Sequence, residues 1–288
     1  MLADGVLISS IYAVLALSLW LLWSVGRVVN LAHGDLALCG AYAAWWLNAE
    51  HNWEPLAALL VVVPVALLVA LLVNRFVLAH LFLRPLLTSA VVTLGLSIAI
   101  QATLRGMFTA MPHAPTGNLV SPWRLGPVAL SAGQTLSAIS AVVIIVLWVV
   151  ASHRTRTGRG LLAVAQNPSA ANVIGIDIPR MAAFAVVLAV TLAVASGSLL
   201  GQFQWIQPSV GPALTVKVFA VAALSGLRSI RAVVVAAIAF GVLEAALFAI
   251  APLSAARIAM MLGAGLVLGA LAIRPAVDTL RASSEPGR

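Results

Sequence analysis

The sequence predicts an all-α fold, a polytopic transmembrane helical bundle of about eight to nine spans with one long cytoplasmic loop. Three observations predict it. The 288 residues are 62% hydrophobic and only 8% charged, whereas a soluble domain carries about 25% charged residues. The apolar residues fall in runs near the roughly 20 residues that a helix needs to cross a bilayer, with short polar punctuation between them. The arginines are distributed asymmetrically between alternate connections, as expected where basic residues anchor cytoplasmic loops.

Spans are expected at 5–26, 28–47, 56–73, 86–104, 136–152, 181–200, 214–227, 231–251 and 256–273. The run 5–26 lacks a basic leader and a small-residue cleavage pattern. It also continues too far for a signal peptide, so it is read as a retained span. The run 28–47 is unusual in carrying Asn30, His33 and Asp35. The segment 193–201 is rich in Ala, Ser and Gly, which suits close helix packing in lipid. The run 214–227 makes a helix only about 21 Å long at 1.5 Å per residue, short of a core about 30 Å thick. It is tilted, broken or re-entrant, and the count is eight if it does not cross. No stretch is polar enough for a soluble domain, so residues 1–288 read as one membrane domain.

If the spans alternate, ten arginines fall on one side and Arg105, Arg124 and Arg257 on the other, beside Glu50 and Glu54. The positive-inside bias then places the loop 153–180 and the tail 274–288 in the cytoplasm and the N-terminus outside. Trp45, Trp46 and Trp53 gather at an expected outer boundary, and Trp20 and Trp23 near an inner one. The net charge of +8 does not point to nucleic acid, because the arginines sit singly between apolar runs rather than on a clustered basic face. The single cysteine, Cys39, excludes an internal disulfide.

Three places stand out as sites. In 26–36, an Asp inside a span costs roughly 2.5–3.5 kcal/mol on insertion scales and normally finds a partner or a wet cavity. Gly34 permits a backbone break that exposes N–H and C=O groups. Asn30, His33, Gly34 and Asp35 therefore either line and gate a pathway or form a structural network that holds a broken helix. One His and one Asp are too few for a metal site. In 154–180, apolar residues recur at helical spacing on both sides of Pro168, which separates two short amphipathic pieces. Gly175 is a plausible helix stop. These pieces either dock on a partner or lie in the headgroup plane. Lys217, the only lysine, either snorkels to an interface or pairs with Glu244. No ATP-binding loop, G-x-S-x-G elbow or H-E-x-x-H motif is present, so no catalytic residues are assigned and no cofactor is expected.

The stretch 5–17 running into Val29-Asn-Leu-Ala-His-Gly-Asp35 resembles the opening of branched-chain amino acid ABC transporter permeases, the LivH-type subunits. So do Leu83-Arg-Pro-Leu86, Thr93-Leu-Gly-Leu-Ser97, the segment 158–177 and Gln207-Pro-Ser-Val-Gly211 followed by Lys217-Val-Phe-Ala220. The resemblance implies a multi-pass inner-membrane subunit that translocates branched-chain or similar amino acids. It also implies a second homologous permease subunit, two cytoplasmic ATPases supplying hydrolysis in trans, and a periplasmic binding protein. The loop 153–180 would then be the coupling loop, with Gln166, Asn167, Pro168, Ala170, Ala171, Gly175 and Ile176 contacting an ATPase. Ser169 and Leu162 stand where such loops commonly carry acidic and basic residues, and Arg228 and Arg231 replace small residues in the turn after 214–227. A permease for urea or short amides shares these motifs. An ion-coupled secondary carrier, with Asp35 and Glu244 as its ion-binding residues, is the alternative of a different class.

Overall fold

The structure, a computed structural model, describes residues 2–82, 84–115, 123–125, 128–227, 229–250 and 263. Ten helices follow in order: α1 (Leu2–Gly26), α2 (His33–His51), α3 (Pro55–Phe76), α4 (Leu86–Phe108), α5 (Ala132–Arg154), α6 (Arg156–Gln166), α7 (Pro168–Val173), α8 (Ile178–Leu200), α9 (Val210–Ser225) and α10 (Ile230–Ile250). A short 3-10 turn, Leu78–Leu81, follows α3. A two-stranded antiparallel hairpin, β1 (Trp123–Leu125) and β2 (Val128–Leu130), precedes α5.

Among the described residues six helices are long and apolar enough to cross a membrane, α1, α3, α4, α5, α8 and α10. The expected count of eight to nine is higher than the six seen among these residues. The runs at 28–47 and 214–227 do form helices, α2 and α9. However, α2 begins only at His33 and carries Asp35, Glu50 and His51, and α9 has 16 residues, about 24 Å of rise. The span 256–273 and the tail 274–288 lie outside the described residues.

Burial sorts the bundle. α1 is central, with Ile11 to Leu22 almost wholly buried, and α8 buries its alanine-rich face from Ala182 to Leu200. α3, α4 and α5 turn Leu60, Leu68, Leu87, Ile98 and Leu147 outward, an arrangement that lipid tolerates. Small residues close the seams. A Cβ on Gly197 would run into the Ala37 carbonyl, and one on Gly40 into the Val194 carbonyl, so α2 and α8 meet backbone to backbone.

The loop 153–180 is a built structure. Thr155, Asn167 and Asp177 cap α6, α7 and α8 by accepting from the backbone N–H of Gly158, Ala170 and Arg180. Pro168 and Pro179 occupy the first turns of α7 and α8, where a missing N–H costs nothing.

Candidate functional site: a helix break inside the bundle

α1 ends at Arg27, a non-glycine residue in the left-handed region at φ 52°. The chain then runs unwound through Ala32 and returns into the bundle. Its depth is fixed by His33, whose Nε2 lies 2.8 Å from Ser18 Oγ and 3.2 Å from the Leu15 carbonyl. Those residues sit about halfway along α1, so α2 starts about midway through the bundle.

An unwound backbone at that depth must find partners, because lipid offers none. Three hydroxyls supply most of them. Ser89 Oγ accepts from Val29 N (3.4 Å). Thr93 Oγ1 accepts from Leu31 N (3.0 Å) and lies 3.1 Å from the Val29 carbonyl. Thr215 Oγ1 accepts from Gly34 N (2.9 Å) and lies 3.2 Å from the Leu31 carbonyl. Asn30 Oδ1 takes the Ala32 N–H at 3.0 Å.

Asn30, His33 and Asp35 are fully buried, yet their side chains do not bond to one another: the one link among them is the backbone bond from His33 N to the Asn30 carbonyl at 3.3 Å. His33 faces α1, whereas Asp35 Oδ2 accepts a 2.5 Å bond from Ser97 Oγ of α4. Asn30 Nδ2, His33 Nδ1 and Asp35 Oδ1 have no hydrogen-bond partner. Gly34 is not the break itself. It lies inside the first turn of α2, where a Cβ would run into the Gly211 carbonyl. Its role is close approach of α2 to α9.

Lys217 points inward rather than to an interface. Its Nζ lies 2.5 Å from Glu244 Oε1 and 3.2 Å from the Tyr12 hydroxyl, and the side chains are 18% and 5% exposed. This ion pair joins α9 to α10 beside α1.

In the loop 153–180, α6 buries Leu161 and Val164 against the bundle. Gln166, Asn167, Ala170 and Gly175 are exposed and Pro168 and Ile176 half-buried, whereas Ala171 is buried. Ala171 therefore faces the bundle and not a partner. Val173 and Ile174, 86% and 73% exposed, form the apolar tip of the loop. At the opposite end, His113 pairs with Ile206 through two backbone hydrogen bonds of 2.8 and 3.0 Å. Its ring lies 3.8 Å from that of Trp45, beside a stacked Tyr42 and Phe108. The loop after α4 is thereby tied to the α8–α9 connection.

A family model described as branched-chain amino acid transport system / permease component matches residues 1–276. The chain belongs to that family. It is 27% identical over 256 residues to the probable branched-chain amino acid transport permease protein LivH of Methanocaldococcus jannaschii, covering 85% of this chain and 79% of that one. It is 25% identical over 258 residues to the high-affinity branched-chain amino acid transport system permease protein BraD of Pseudomonas aeruginosa, covering 85% and 84%. A shorter match, 36% over 112 residues, is to the probable ABC transporter permease protein YphD of Escherichia coli, covering 39% and 33%. No solved structure matches the chain.

This chain is thus a multi-pass membrane permease, and the residues that support its broken helix are ones that sequence reasoning passed over. Ser89, Thr93 and Ser97 recur every fourth residue in α4, so they form a polar stripe on an otherwise apolar helix. The stripe was legible by spacing, whereas the contribution of Thr215 from α9 was not. Thr93→Val is expected to lower the thermal midpoint of the detergent-solubilised permease. It orphans groups on Val29 and Leu31 at about 1–3 kcal/mol each. Thr93→Ser, which keeps the hydroxyl, is expected to recover most of the loss.

Proposed function

We propose that this permease carries branched-chain or similar amino acids across the inner membrane as the membrane-spanning subunit of an ATP-driven importer. The observation that carries the reading is the buried, polar helix break midway along α1 in a chain of this family. Transport requires polar groups at that depth, and a merely structural bundle avoids them. Asn30, His33, Gly34 and Asp35 shape the route, which runs at the interface with a second homologous permease subunit. A periplasmic binding protein delivers the substrate.

Two cytoplasmic ATPases drive the cycle, and the loop 153–180 receives them. The capped frame of α6 and α7 holds Val173 and Ile174 outward as an apolar tip that water disfavours, flanked by Gln166, Asn167 and Ala170. The loop and the C-terminal tail face the cytoplasm. Glu244 is a poor ion-coupling residue because Lys217 already neutralises it, which weighs against a secondary carrier.

The test is uptake in proteoliposomes by the chain co-purified with the products of its neighbouring genes. ATP-dependent leucine uptake supports the reading, and Val173→Asp with Ile174→Asp is expected to reduce uptake at least tenfold, on the scale of about 1.4 kcal/mol per decade, while leaving the permease folded. ATP-dependent uptake of urea or a short amide without leucine would move the substrate. Uptake driven by an ion gradient alone would sink the importer.

A further inference from the structure

Two carboxylates are buried in the bundle, and they are provided for differently. Glu244 has a resident cation, Lys217, at 2.5 Å. Asp35 has none among the described residues: the neutral Ser97 hydroxyl donates to Oδ2, with the Gln101 amide behind it, and Oδ1 has no hydrogen-bond partner. Leaving a buried carboxylate without a counter-charge is costly, so the difference between the two calls for a physical reason.

Behind Ser97 stands a ladder with one direction. Arg105 Nη2 donates to Gln101 Oε1 (3.5 Å), Gln101 Nε2 donates to Ser97 Oγ (3.0 Å), and Ser97 Oγ donates to Asp35 Oδ2 (2.5 Å). Each rung lies four residues from the next on α4, and every donor points toward the carboxylate. The ladder fixes one oxygen and leaves the other for something else. No donor faces Oδ1. Gly211 lies against it, and a Cβ at that position would run into Oδ1. The cover is therefore the bare backbone of the first turn of α9, which also holds α2 through the Thr215 bond to Gly34 N.

We propose that Asp35 receives the ammonium group of the transported amino acid, and that Ser97 and Gln101 are positioning residues that aim it. This rests on the amino-acid permease reading. A cargo that brings its own cation supplies the missing counter-charge when α9 draws back from α2. A neutral solute leaves the carboxylate uncompensated, and a bare carboxylate ligand is repelled.

The experiment measures the thermal midpoint of the purified complex with isobutylamine hydrochloride or isobutanol at matched ionic strength. The amine is expected to raise the midpoint of the native complex and the alcohol to leave it unchanged. Asp35→Asn is expected to abolish the amine effect. Ser97→Ala and Gln101→Leu are expected to need about tenfold more amine, the scale of one lost hydrogen bond, and Ser97→Thr to restore the native dependence. An amine effect that persists in Asp35→Asn, an equal effect of the alcohol, or no effect of the amine on the native complex overturns the proposal. Where Asp35→Asn yields no folded complex, the three α4 variants decide: an unchanged amine dependence across them overturns it. Failure of this inference is separable from failure of the function. Leucine uptake with no amine dependence sinks only the role of Asp35, whereas an amine dependence without ATP-driven leucine uptake sinks only the importer.

Discussion

Lys217→Met is expected to destabilise the folded permease by about 3–5 kcal/mol, the cost of stripping a buried carboxylate of its partner. Glu244 is 5% exposed, and its Oε2 already has no hydrogen-bond partner, so losing Lys217 leaves the carboxylate without its counter-charge. Glu244→Leu is expected to cost less, because Lys217 is 18% exposed and its long stem can carry the ammonium toward a wetter level. The double change Lys217→Met with Glu244→Leu is expected to recover most of the loss, since an apolar pair of similar volume is often neutral or better than a buried ion pair. Thermal midpoints of the four proteins in one detergent check the order. Equal destabilisation by the single changes, or no recovery in the double, would show that the pair is not the isolated unit its geometry describes.

Gly197→Val is expected to prevent assembly of the bundle. A Cβ there meets the Ala37 backbone, which cannot rotate aside as a side chain can. Forcing α2 from α8 also opens the reciprocal contact at Gly40. The cost lies at or above the upper end of the roughly 1–3 kcal/mol usual for overpacking. Gly95 is the control, since nothing lies within 4 Å of a Cβ added there. Gly95→Ala is expected to leave the yield unchanged or to stabilise α4 by roughly 0.5–1 kcal/mol. The monodisperse fraction on size exclusion after matched expression reads both.

Most of the helices were legible because hydropathy is a property of one segment at a time. The runs at 5–26, 56–73 and 86–104 needed no neighbour to be recognised, and α1, α3 and α4 occupy them. The start of α2 was not legible, because residues 28–32 are as apolar as a span. What unwinds them is a set of hydroxyls from α4 and α9 that offer the backbone other partners. The polarity of Asn30, His33 and Asp35 marked the right region but suggested mutual contact, whereas each side chain faces a different element. Lys217 left snorkelling and pairing both open, and only the packing of α9 against α10 decides between them. In the loop 153–180, spacing identified two short helices but not which side each would bury: Ala171, expected to contact an ATPase, is buried, whereas Val173 and Ile174, which fall at helical spacing, are exposed.

The helix break also sets an order of synthesis. When residues 27–35 leave the ribosome, the hydroxyl that satisfies Leu31 is 62 residues away, and the one that satisfies Gly34 is 181 residues away. A translocon cannot release this segment into lipid as a finished hairpin, because its backbone groups have nothing to bond there. The nascent chain must hold α2 in a sheltered, hydrated setting until α9 has been made. Completion of the first third of the protein therefore waits on its last third, and chains stalled before residue 215 are expected to be degraded faster than full-length chains in a pulse-chase experiment.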